Sequence, residues 1–145
     1  MASSGIQLNS SCQVTYQDLK LRKKYKYIVF NMNKDAEHIK DATEIVVEKT
    51  STETDYEKFI ADFPEDSCRF AIYDFEFEKE GAGKRNKIIF LAWSPDNAPT
   101  KQKMVFASSK ETLKRELSGI AAEIQGTDYD EIAHESVMDK VKRVA

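Results

Sequence analysis

Two strand-forming stretches joined by a short glycine-bearing link constrain this chain more than any other feature. Residues 69–78 (RFAIYDFEFE) alternate, with Ala71, Tyr73, Phe75 and Phe77 on one face. Residues 88–93 (IIFLAW) are apolar without a break, the pattern of a strand covered on both sides. The link Lys79-Glu80-Gly81-Ala82-Gly83-Lys84-Arg85-Asn86 holds two glycines and is read as a hairpin turn. A hairpin with one doubly covered strand needs a wider sheet and a layer on each face. The chain's 145 residues suffice for that in a single domain, residues 1–145, with 1–8 expected as a flexible N-terminal segment.

The remaining pattern supplies the missing strands and layers. Residues 25–32 (YKYIVFNM) and 43–49 (TEIVVEK) are two more strands, the second turning Ile45 and Val47 inward, with a polar hairpin loop over 33–42. A helix begins near Ser10, where Ser10 and Gln13 have capping-box spacing, and Cys12, Tyr16 and Leu19 form its apolar stripe. Tyr56, Phe59, Ile60 and Phe63 repeat at helical spacing up to Pro64. After the break at 94–99 (SPDNAP), a long helix over 100–117 is ended by Gly119. Phe106, Leu113 and Leu117 share its core face, continued by Ile120, while Lys101, Met104, Ser108 and Arg115 cluster opposite. A short fifth strand is expected near 122–125, and a last helix over about 136–143 that buries Val137, Val141 and Val144. The expected fold is α/β (α+β), one mixed sheet sandwiched by helices.

Charge is unevenly spread. Residues 35–80 hold 15 acids against 5 bases, a net of −10 in a chain whose total is −3. Three segments are basic: 18–26 with five bases against one acid, 99–117 with five against two, and the last nine residues with three against one. If these segments meet, they form a surface for an acidic protein, an anionic lipid or a nucleic acid. An outward Met104 between bases suits docking into a groove of another protein.

Most catalytic chemistry finds no support. Gly81-Ala82-Gly83-Lys84 lacks the earlier glycine and the following Ser or Thr of a phosphate loop, since Glu78 and Arg85 stand there. His38 and His134 have no Cys, His or Asp at ligand spacing, so no metal site is expected. Asp74, Glu76 and Glu78 alternate as a solvated strand end would. Cys12 and Cys68 are read as two free thiols in apolar packing. A nucleophilic pair of Cys68 with His134 stays open as an alternative, because pairing is spatial. No apolar run approaches the roughly 18–20 residues of a membrane-spanning helix. Residues 1–5 (MASSG) lack a basic flank and an apolar core, so no secretory signal is expected. The net acidity, and the absence of aromatics paired among the bases, argue against nucleic acid.

The strings Asp18-Leu19-Lys20, Ala71-Ile72-Tyr73-Asp74-Phe75, Trp93-Ser94-Pro95-Asp96, the run KMVFASSK at 103–110, and Gln125-Gly126-Thr127-Asp128 resemble the actin-depolymerising factor/cofilin family. They occur in family order from Gly5 to the C-terminus. The resemblance implies the actin-depolymerising-factor homology fold, with four antiparallel strands plus a short parallel fifth. It implies a non-enzymatic protein, without cofactor, that binds ADP-actin monomers and filaments, severs and depolymerises filaments, and works as a monomer in the cytoplasmic actin cytoskeleton. Nuclear entry and phosphoinositide head groups as competing ligands are implied too, with no stable membrane insertion.

Carried over residue by residue, the surface for both monomer and filament would comprise Ser4, Gly5, Ile6, Lys101, Lys103, Met104, Glu111, Lys114 and Arg115. A filament-only surface would comprise Arg85, Lys87, Asp139, Lys140 and Arg143. Ser4 would be the regulatory phosphorylation site. The alternatives on the same fold are a coactosin-like protein acting on filaments only and a glia-maturation-factor-like protein acting on the branching complex.

Overall fold

The computed structural model describes residues 5–144. In chain order it contains β1 (Gln7–Leu8), α1 (Ser10–Lys20), β2 (Tyr27–Met32), a 3-10 helix (Ala36–Asp41), β3 (Glu44–Ser51), α2 (Tyr56–Ile60), β4 (Arg69–Lys79), β5 (Gly83–Trp93), α3 (Thr100–Glu116), β6 (Ala122–Gly126) and α4 (His134–Val144). The strands form one sheet in the order β1-β3-β2-β4-β5-β6. The inner four are antiparallel, and the two edges, β1 on β3 and β6 on β5, are parallel.

Strand periodicity splits the core in two. Ile28, Phe30, Phe70, Ile72 and Phe90 point to one face, where Cys12, Tyr16 and Leu19 of α1, Ile39 of the 3-10 helix and Phe106 and Leu113 of α3 cover them. Tyr27, Val29, Tyr73, Phe75, Ile89 and Leu91 point to the other, beneath Tyr56 and Phe59 of α2 and Val137 and Val141 of α4. The unbroken apolar run 88–93 follows from this, since both faces of β5 are covered there.

Several expectations are corrected. The sheet has six strands rather than five. Of the segment expected to be flexible, residues 1–4 lie outside the described residues, but Ile6 is buried and Gln7–Leu8 form β1. The Gln7 N–H donates to the Thr43 carbonyl at 3.0 Å and the Asn9 N–H to that of Ile45 at 2.9 Å. The α1 cap is Asn9, whose side chain accepts from the Ser11 N–H at 3.0 Å, while the Gln13 amide donates to Glu116 of α3. The loop over 33–42 contains the 3-10 helix, capped by Asp35. Lys79 and residues 83–86, expected in the turn, are strand: β4 and β5 pair from Arg69–Trp93 out to Lys79–Gly83, leaving only Glu80, Gly81 and Ala82 to turn. Gly81 and Gly83 have φ of +77° and +76°, the left-handed region glycine enters without a Cβ clash. On α4, Val144 is 51% exposed rather than buried. Asp74, expected to be solvated, is only 5% exposed.

Candidate functional site

On one side of the sheet, α3 presents an inner and an outer face. Gln102, Phe106, Ser109 and Leu113 are its buried residues. Gln102 accepts from the Cys68 N–H and donates to Ser67 Oγ, each at 3.0 Å, pinning the first turn of α3 to the chain entering β4. Lys101, Met104, Glu111 and Arg115 are exposed, Met104 by 65%. Met104 and the buried Ile6 line one shallow cavity of about 280 Å³, with Lys40, Ala42, Val105 and Ser108. The N-terminal segment and α3 therefore meet, as their assignment to one surface requires. Gly5 is exposed with φ of +72°. Ser4 lies outside the described residues.

Two predicted cations on α3 are engaged internally. Lys103 is half-buried and donates to the Asp96 carbonyl at 2.9 Å. Lys114 donates to Glu123 of β6 and lies 3.7 Å from Glu111, while Lys110 reaches the same Glu123 at 2.8 Å. Burial alone would raise the Glu123 carboxyl, but hydrogen bonds from Lys110, Lys114 and Gln125 outweigh it and hold the group at about 2. Lys101 and Arg115 make no ion pair among the described residues.

The second predicted set lies on the opposite face. Arg85 is paired with Phe77 and Lys87 with Phe75, so both bases share the side of the sheet that α2 and α4 cover. The His134 ring at the start of α4 stacks on Phe75, centroids 5.1 Å apart, joining the base of the hairpin to that helix. Asp139, Lys140 and Arg143 are exposed along α4. The three basic segments thus do not merge. Lys20 at the end of α1 donates to the Ser118 carbonyl just beyond α3, at 2.9 Å, but α4 is across the sheet.

Cys68 packs in the α1–α3 core, its Sγ 3.6 Å from Ser94 Oγ, whereas His134 stacks on the other face, so the proposed nucleophile pair is not assembled. Burial pushes both thiols up, Cys12 to about 11. His38 does have partners the spacing did not reveal. A ring nitrogen of His38 and a carboxylate oxygen each of Asp35 and Glu37 lie within 4.8 Å of one another, all three residues being exposed. Asp35 is already used there, accepting from the His38 N–H at 2.9 Å and facing its Nδ1 at 2.8 Å.

The family model of the cofilin/tropomyosin-type actin-binding proteins matches residues 5–142. This chain belongs to that family. It is 53% identical over 141 residues to the cofilin of Mycosarcoma maydis, 97% of each chain, and 48% identical over 146 residues to that of Saccharomyces cerevisiae, covering 100% of this chain and 98% of that one. The crystal structure of Streptomyces griseoflavus cofilin matches with a TM-score of 0.87 at 57% identity, over 96% of this chain and 98% of that one. Human coactosin-like protein, at 18% identity and a TM-score of 0.77, shares the fold alone. The cofilin relatives support an actin-binding, filament-depolymerising function, and do not favour the coactosin-like and glia-maturation-factor-like alternatives. Actin is the partner, and the actin cytoskeleton is where a member of this family acts.

Sequence reading misses two residues of interest and misplaces a third. Lys40, on the wall of the Ile6–Met104 cavity, had no signal in a polar loop. Glu123 had one: Lys110 and Lys114 at i, i+4 mark a basic stripe that faces the neighbouring strand. Asp74 was seen but placed in solvent.

Proposed function

We propose that this cofilin-family chain, acting as one actin-depolymerising-factor homology domain and as a non-catalytic monomer, binds ADP-actin monomers and filament sides and severs and depolymerises filaments through two separate surfaces. Gly5, Ile6, Lys101, Lys103, Met104, Glu111, Lys114 and Arg115 contact one actin subunit, in the monomer as in the filament. Arg85, Lys87, Asp139, Lys140 and Arg143 contact a second subunit, which only a filament offers. The observation that carries this reading is the segregation of the two sets onto opposite faces of one sheet. A surface that touches two subunits at once can bridge and strain their contact, whereas one surface alone can only occupy it.

The bases Lys101 and Arg115, which make no ion pair among the described residues, also suit phosphoinositide head groups, which compete with actin for them. Arg22-Lys23-Lys24 is the basic run available for nuclear entry. A phosphate on Ser4 would add about −1.5 to −2 charges one residue before Gly5 in the chain and weaken the hold on an acidic partner. Co-sedimentation with ADP-actin filaments, scoring both pelleted protein and released monomer, tests the whole. Binding with monomer release is the expected result. Pelleting without release fits a filament-only binder and removes the monomer surface.

A further inference from the structure

Asp74 sits where the sheet narrows. β2 pairs with β4 only as far as Tyr73, and β6 pairs with β5 only from Ile89 onward. Residues 75–79 and 83–87 therefore form a two-stranded ribbon, the part of a sheet that twists most freely. Phe75 and Phe77 hold its α4 side by burial. Its α1 side is held by polar contacts at its root. The Asp74 carboxylate accepts from Asn86 Nδ2 at 3.1 Å and from Lys23 Nζ at 3.4 Å. The Asp74 N–H donates to the Lys26 carbonyl at 3.0 Å. Lys23, just beyond α1, is the one non-glycine residue with a left-handed backbone among those described, φ +54°. A long side chain there, in place of an unstrained glycine, delivers an ammonium to a buried carboxylate.

Asn86 lies between Arg85 and Lys87. Because successive strand residues point to opposite faces, fixing the Asn86 side chain on the α1 face turns its two neighbours to the other. We propose that Asp74 is a positioning residue for filament binding: with Lys23 and Asn86 it braces the root of the ribbon, and so sets the direction in which Arg85 and Lys87 meet the second actin subunit. This rests on the two-surface reading above. Asp74 itself is too buried to touch actin, so any effect of it on filaments passes through the ribbon.

The test compares Asp74→Ala, Asp74→Asn and Asn86→Ala for filament co-sedimentation, ADP-actin monomer affinity and thermal midpoint. Asp74→Ala and Asn86→Ala should each weaken filament binding by about tenfold, the equivalent of one hydrogen bond of about 1.4 kcal/mol, with monomer affinity within about twofold of wild type. Asp74→Asn keeps an acceptor for Asn86 and should restore most of the loss. In a background of Arg85→Ala with Lys87→Ala, adding Asp74→Ala should cost filament binding nothing further. Wild-type filament affinity in both Asp74→Ala and Asn86→Ala overturns the brace. Equal losses for monomer and filament with a lowered midpoint overturn it too, since the effect is then general destabilisation. Should Asp74→Ala not fold, the exposed Asn86→Ala decides alone. Filament binding untouched by Arg85→Ala with Lys87→Ala is a different failure: it removes the second surface, and the brace with it.

Discussion

Replacing Glu123 by Gln tests the electrostatic clamp that ties α3 to the edge strand β6. In the native protein the carboxyl is held at about 2, against an ordinary value of 4.5. At about 1.36 kcal/mol per unit, that difference is roughly 3.4 kcal/mol in favour of the folded state. The side chain is 25% accessible, so solvent screening lowers this to about 1–2 kcal/mol. The native value is depressed, so the stabilisation is fully present above the unfolded value and is lost as pH falls from about 4.5 to about 2. Glu123→Gln should therefore melt about 3–7 °C below wild type at pH 7. The gap should close between pH 4.5 and pH 2, because protonated Glu and Gln are then alike. Paired thermal melts across that range isolate the group, since every other carboxylate titrates in both proteins. A gap that is absent at pH 7, or that stays constant into acid, refutes the clamp.

Four further outcomes are expected. Lys101→Ala with Lys103→Ala should weaken monomer and filament binding together, by about 1–3 kcal/mol per lost charge-assisted contact, with the larger share from Lys101; a folded double variant with wild-type affinity removes α3 from the site. Arg85→Ala with Lys87→Ala should lose filament binding and severing while a fluorescence titration shows ADP-monomer binding retained; equal loss of both would mean a single surface. Ser4→Asp should sever filaments far more slowly than wild type in a microscopy assay, with Ser4→Ala active and Ser3→Asp less affected; wild-type severing by Ser4→Asp sinks the phosphorylation switch. Tyr56→Phe should lower the melting midpoint by about 3 °C, because the buried Ile132 carbonyl loses the hydroxyl that donates to it at 2.7 Å; an unchanged midpoint would show that the bond contributes nothing net.

What the sequence made legible is what repeats. The alternating face of β4 rests on four residues, the stripe of α1 on three at helical spacing, and the doubly covered β5 on an unbroken apolar run, and each of these is buried as expected. β1 shows no signal because two residues cannot display a period; its evidence is a pair of hydrogen bonds to the Thr43 and Ile45 carbonyls, where the chain enters β3 some 37 residues on. Asp74 was misplaced for a related reason. Alternation correctly puts it on the same face as Glu76 and Glu78, but burial changes along that face as neighbouring strands end. Glu76 and Glu78 are exposed, whereas Asp74 lies under the turn after α1. The outward Met104 was legible from helical angle alone. The internal engagement of Lys103 and Lys114 was not, since a charge pattern gives no distance to Asp96 or Glu123. The membership of Ile6 and Met104 in one cavity was legible only through resemblance, because 98 positions separate them.

The two proposed surfaces would use one local device on different backbones. Each centres on an amide flanked by bases: Lys101-Gln102-Lys103 on α3 and Arg85-Asn86-Lys87 on β5. In both, the amide is hydrogen-bonded within the protein, Gln102 to Ser67 and Cys68, Asn86 to Asp74. Pinning the middle residue fixes the roll of its element, and thereby the directions of its neighbours, without asking those neighbours to make any contact of their own. The backbone then decides how many bases are free. On a helix the two flanking residues diverge by about 200°, so one base can project while the other folds back, as Lys103 does onto the Asp96 carbonyl. On a strand both flanking residues share the face opposite the amide, so Arg85 and Lys87 project together. Of the two bases flanking Gln102, Lys101 alone is thus left to project near an apolar knob, Met104, while the ribbon supplies a pair of charges without one. A surface of the first kind gains affinity by burying the knob in a groove; one of the second kind depends on long-range charge and on aim. On that physics, filament binding should be the more salt-sensitive of the two activities, and the root of the ribbon a more consequential place for a rigid contact than its tip.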